Sequence, residues 1–127
     1  MTQEEKELLL KDLCARLPYG VICKDTNINV TGTLSQIGLH YDMCVLDKDN
    51  GDSESCYILN CKPYLFPLSS MTEEQSKIYH ELIGGMFGTS ALINFEVLED
   101  FFHKNHLDYK GLIEKNLAID ATNKNIY

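Results

Sequence analysis

The sequence predicts an α+β domain: an N-terminal helix, a small antiparallel sheet of about four or five strands (or an SH3- or Sm-like half-barrel), and a C-terminal segment of about three helices. Three observations predict it. Apolar residues recur at three- and four-residue spacing from Glu4 to Arg16. Short runs of strand character follow at close intervals from Val21 to Cys61, and helical spacing returns after Thr72. The organisation is one domain over residues 1–127, with helix and sheet over 1–62, a strap and helices over 63–121, and a tail over 122–127. A chain of 127 residues is long enough to bury roughly two-thirds of its unfolded surface.

In chain order, Leu9, Leu10, Leu13, Cys14 and Leu17 form the apolar face of the first helix. Thr2 and Glu5 stand at capping-box spacing, and Glu7 with Lys11 and Asp12 with Arg16 are acid-first pairs suited to a solvated face. Pro18 ends the helix, because it forces Leu17 out of helical geometry. Strands are expected over Val21–Lys24, from Ile28 to Ser35, and over Tyr41–Asp47, with Asn50-Gly51 turning the chain into a fourth. Gly32 falls on the apolar face of the second strand, which marks a bulge or a close backbone approach. Ile37 is out of phase with Leu34, so a bend at 36–38 is expected.

The chain turns on Cys56–Leu82. Cys56–Cys61 reads as the last strand, with Lys62-Pro63 ending its pairing because proline offers no N–H. Tyr64 to Leu68 is too apolar for an ordinary loop and reads as a strap across another surface. Thr72 with Gln75, or Ser70 with Glu73, caps a helix that ends at Gly84-Gly85. After a connection over 85–90, a second helix is expected from Asn94 to about Asn105, and a third from Asp108 to Lys115.

Composition excludes several classes. The 19 acids outnumber the 11 bases, giving a net charge of −8, and Arg16 is the only arginine. Nucleic acid is therefore a disfavoured partner, since phosphate recognition needs local positive charge and favours the arginine fork. No apolar run approaches the length of about 18 residues that crosses a bilayer. The polar start Thr2-Gln-Glu-Glu-Lys6 is unlike a secretion signal. These features lead to the expectation of a cytoplasmic protein without membrane contact. Five cysteines, an odd number, suit a reducing compartment, where they act as small reduced core residues.

The chemistry-bearing candidates are few. Asp47-Lys-Asp-Asn-Gly-Asp52 resembles a calcium loop, but Gly51 and Asp52 are reversed and Ile58 stands where a bidentate glutamate is needed. Asp100, His103 and His106 step by three along a helix and are weak metal candidates, with capping of the helix C-terminus as their simpler role. Cys56 and Cys61, five apart, belong on opposite faces of an ideal strand, which is wrong for a shared metal. His40 or His80 would have to approach a cysteine to make a nucleophile of it. Gly84-Gly85-Met-Phe-Gly88 lacks the lysine and preceding strand of a phosphate loop. No catalytic residue and no cofactor is assigned.

Tyr64, Phe66 and Leu68 form the most suggestive surface: either the strap packs onto its own domain, or it exposes an apolar strip for a partner. Three phrases also resemble a known group: Asp12-Leu-Cys-Ala-Arg-Leu-Pro-Tyr-Gly-Val21, Lys62-Pro-Tyr-Leu-Phe-Pro-Leu-Ser-Ser-Met-Thr72 and His106-Leu-Asp-Tyr-Lys-Gly-Leu-Ile-Glu-Lys-Asn-Leu-Ala118. In their order and spacing the chain resembles a family of small uncharacterised proteins encoded by gut Bacteroidales, their phages and mobile elements. Phe66, where that pattern has a basic residue, and Asn116, where it has glycine, are departures. The resemblance implies a mobile-element setting and carries over no activity. The expected function is a non-enzymatic protein that binds a host or phage protein. A small-ligand binder that sequesters a nucleotide signal is the alternative, and an Sm-like RNA binder is opposed by the charge.

Overall fold

The computed structural model describes residues 1–38, 42–85 and 91–127. Helix α1 spans Gln3–Arg16, and the expected capping box forms, with Thr2 Oγ1 accepting the Glu5 N–H at 3.1 Å and Glu5 Oε1 accepting the Thr2 N–H at 3.0 Å. Its buried face is rotated from the expected one. Leu9, Asp12, Leu13 and Arg16 point inward, and Cys14 is exposed. The Asp12–Arg16 pair, expected in solvent, lies fully buried, with Arg16 Nε donating to Asp12 Oδ2 at 2.8 Å.

Strands β1 (Ile22–Asp25), β2 (Val30–Gly38), β3 (Met43–Asp47) and β4 (Ser53–Tyr57) form an antiparallel meander. Two local features make it fit. The β2–β3 register shifts between Leu34 and Gln36, so the extra residue is Ser35 and no bend at 36–38 is needed. This bulge restores Ile37 to the side of the core that Leu34 fills. At Gly32 the backbones of β2 and β3 approach so closely that a Cβ would sit 2.7 Å from the Asp47 carbonyl oxygen, the close approach expected there. The β3–β4 connection is a hairpin, as expected: the Gly51 N–H bonds the Lys48 carbonyl and the Lys48 N–H bonds the Asp52 carbonyl. Gly51 takes the left-handed conformation (φ 89°) that such a loop requires.

The strap is a strand, β5 (Cys61–Pro67), separated from β4 by a 3₁₀ turn at Ile58–Asn60. Pro63 therefore does not end pairing: Cys61, Lys62 and Pro63 face Asp25, Lys24 and Cys23 of β1. The Thr26 N–H bonds the Asn60 carbonyl, which sets the phase of this antiparallel ladder. Pro63 falls on an intervening rung, where an N–H would point away from β1. Two short strands, β6 (Leu107–Asp108) and β7 (Ile119–Asp120), add parallel pairs to β5 at Phe66–Pro67 and Tyr64–Leu65. Among the described residues the sheet is thus mixed and seven-stranded, in the order β4-β3-β2-β1-β5-β6 with β7 also on β5. This replaces the wholly antiparallel sheet of four or five strands.

Helices α2 (Glu73–Gly85) and α3 (Ala91–Lys104) follow. Thr72, rather than Ser70, caps α2 through a reciprocal pair with Gln75, at 3.1 and 3.0 Å. Helix α3 starts earlier than the expected Asn94. The connection over 86–90 lies outside the described residues. The expected third helix is instead a turn: Asp108, buried, accepts the N–H groups of Leu112 and Ile113, each at 2.9 Å. Asn116 takes a left-handed conformation (φ 61°), one that glycine and asparagine share, which explains how it replaces the expected glycine. Two cores result. One, between α1 and the sheet, holds Leu9, Leu13, Leu46, Ile58 and Leu65. The other, under α3, holds Leu98, Phe101, Phe102 and Leu107. Alternation along β5 sends Leu65 to the first and Phe66 to the second. No helix among the described residues is long and apolar enough to cross a membrane.

Candidate functional site

Helices α2 and α3 lie side by side, and their amphipathic faces do not bury everything apolar they carry. Tyr79 and Leu82 pack with Leu98, Phe101 and Phe102 over β5. Ile78 stays 39% exposed, Phe95 48% and Val97 45%. Between the helices runs an open groove of about 510 Å³, with Ile78, Leu82, Val97 and Phe101 as its apolar lining. Its polar lining includes Thr72, Gln75 and Asn105, where Gln75 Nε2 donates to Asn105 Oδ1 at 3.2 Å. Lys104 is the only base among its described lining residues, against Glu74 and Asp100. The same two helices carry Glu73, Glu81, Glu96 and Glu99, with Lys77 the other base. The outcome is an apolar slot edged by Glu74, Asp100 and Lys104.

The sequence did not single out this groove. Ile78 and Val97 keep ordinary amphipathic spacing, and only the helix–helix angle decides which apolar positions remain open. The strap lies elsewhere. Tyr64 is 7% exposed, and Phe66 and Leu68 are half-buried against the α3 core. Tyr64 packs onto its own domain, while Phe66 and Leu68 keep part of their surface open. Phe66 also meets Tyr127, with ring centroids 5.8 Å apart.

The three weak metal candidates do not converge. Asp100 accepts the Tyr19 hydroxyl, and His103 Nε2 shares a 2.9 Å hydrogen bond with the Tyr109 hydroxyl. His106 stacks on Tyr127 at 3.8 Å. Nor do the histidine side chains cap α3, since Asn105 Nδ2 takes the Phe101 carbonyl instead. Burial first, and then the Arg16 charge, pulls His106 down to about 4 and lowers His103 as well. His80 is exposed on α2, its Nδ1 paired with the Ser76 carbonyl at 2.7 Å, and His40 lies outside the described residues.

The expected separation of Cys56 and Cys61 is overturned. The 3₁₀ turn at Ile58–Asn60 breaks the strand alternation, and the ligand atoms of Cys44, Cys56 and Cys61 all lie within 4.8 Å of one another. Cys44 and Cys56 are cross-strand partners, and Cys61 faces Asp25 across β5–β1. All three thiols are buried, as is Cys23 on the neighbouring strand β1. The Cys56 sulfhydryl acts to lower Cys44, yet its bond to Cys61 and its burial push Cys44 up to about 12. Cys56 is raised by its bond to Cys44 and by burial, and Cys61 by its bond to Cys23 first. Without a cation these are neutral thiols, not nucleophiles.

Comparison with protein-family models, curated proteins and solved structures gives no match.

Proposed function

We propose that this chain is a non-enzymatic interaction protein whose α2–α3 groove receives an amphipathic, basic helical segment of a partner protein. The observation that carries the reading is the open groove of about 510 Å³ with Ile78 and Val97 exposed at its lining. A partner helix can set apolar side chains into such a slot while its lysines and arginines meet Glu74 and Asp100. A second copy of the chain fits poorly, because two surfaces of a −8 protein repel. Phe66 and Leu68 of the strap pack with Leu82 and Phe101, two of the groove's lining residues, from below. By the resemblance noted above, the partner is a host or phage protein met in the cytoplasm of a bacterial host cell.

The small-ligand alternative draws on the polar pair Gln75 and Asn105. A sequestered nucleotide, however, would bring phosphates to a groove with one lysine and two acids. RNA binding by an Sm-like surface is opposed by the net charge, and by the burial of the only arginine against Asp12.

Photo-cross-linking tests the reading. A cross-linker placed at Val97, with exposed Leu59 as the control position, is activated in the host cell, and the linked peptide is sequenced. An amphipathic segment flanked by lysine or arginine, trapped at Val97 and not at Leu59, is expected. Equal yields at both positions, an acidic peptide, or the chain's own sequence would contradict it.

A further inference from the structure

We propose that Cys44, Cys56 and Cys61, with Cys23 as the fourth donor, form a buried site for a thiophilic d¹⁰ metal ion, zinc(II) or copper(I). Each thiol comes from a different strand, β1, β3, β4 or β5, and the fold gathers them although they are spread over residues 23–61. The fifth cysteine, Cys14, is exposed on α1 and plays no part. The sulfurs of Cys44, Cys56 and Cys61, within 4.8 Å of one another, need to close by only about 1 Å to meet tetrahedral zinc, whose Zn–S bonds of about 2.3 Å set sulfurs about 3.8 Å apart; Cys23 lies outside that trio and must move further to join it. Cys61 is central, since its strand β5 pairs with β1, which carries Cys23.

A buried carboxylate borders the cluster. Asp25 is buried beside this cluster, and its recorded partner is the Asn27 N–H, not a lysine or arginine. No ion pair involving Asp25 occurs among the described residues. Soft sulfur donors select a soft ion over calcium or magnesium. Complete burial leaves no open position for substrate, so the site is structural: it ties β4 and β3 to β5 and β1 across the 3₁₀ turn. Binding is ligand exchange without electron transfer. Each thiol that ligates gives its proton to solvent and its sulfur pair to the metal, so four protons leave when zinc takes all four. Loading therefore strengthens as pH rises.

The test uses the full chain, purified under reductant. Metal content is measured by plasma mass spectrometry, and the metal-free protein is titrated with zinc(II), copper(I) and cobalt(II). Expected are retention of one zinc or copper per chain, a cobalt spectrum with the intense thiolate charge-transfer band of a multi-sulfur tetrahedral site, and a melting temperature that rises with metal. Cys56→Ala should weaken binding about tenfold or more, and Cys14→Ala should leave it unchanged. Because Cys56→Ala can fail to fold, the cobalt spectrum of the unaltered chain is the independent readout. Absence of the charge-transfer band with no metal retained, or equal affinity in Cys56→Ala, would each overturn the proposal.

Discussion

Arg16 anchors a small polar island inside the protein. Its Nη2 donates to the Leu107 carbonyl at 2.6 Å while Nε holds Asp12, so it ties α1 to β6. A buried ion pair often adds little net stability, but breaking one side of it leaves an unpaired charge in the core. Arg16→Met or Asp12→Leu alone should each cost about 3–5 kcal/mol, and the double variant should recover most of that loss. Urea denaturation of the four proteins measures this double-mutant cycle. Spacing of four is the same for a solvated pair and a buried one, which is why the sequence pointed to solvent. Beside this island the two lowered histidines make stability depend on acid. Their unfolded value is about 6.5, so between there and about 4 for His106 the unfolded chain binds protons that the native chain refuses. The contribution is complete above pH ~6.5 and is lost as pH falls through that window. His103, lowered in the same way, acts in the same direction. Urea melts at stepped pH should show this decline, flattened in His106→Gln; an unchanged slope would contradict it.

Among the elements, β5 does most to hold the two cores together, and Tyr127 completes it. Where the β1–β5 ladder stops, the Tyr127 hydroxyl accepts the Ile22 N–H at 2.9 Å and donates to the Tyr64 carbonyl at 2.7 Å. It fills the next rung, so the stretch expected to be a tail is a clasp. Tyr127→Phe keeps the stack on His106 but leaves both backbone groups without the hydroxyl. It should cost about 1–3 kcal/mol, read by thermal melting, and faster amide exchange should be confined to Ile22 and its neighbours. Helix α1, the capping box at Thr72, the Gly32 approach and the Asn50-Gly51 hairpin were legible in the sequence because each has a local cause. Long-range pairing was not. A strand holding Pro63 and Pro67 reads as a strap until the rung phase is known, and Asp108 offers its carboxylate equally to a helix or to a turn. The cysteine cluster was hidden because the 3₁₀ turn at Ile58–Asn60 resets the alternation on which the reading rested.

For the whole molecule, the sheet and α1 make a closed core, while α2 and α3 turn an acidic, partly apolar face outward. Composition conveyed the charge but not its placement. The groove emerges only when two helices, each ordinary in pattern, are set side by side on β5. The most direct measurement of the proposed function is a calorimetric titration of the partner segment identified by cross-linking, against the unaltered chain and against Ile78→Glu/Val97→Glu. Both substitutions are at exposed positions, so folding should be preserved, with the melting temperature nearly unchanged. The account predicts that the double variant loses at least about 2 kcal/mol of binding free energy, the scale of an interface hot spot, and that binding to the unaltered chain weakens as salt is raised. Undiminished affinity in a folded double variant would contradict it.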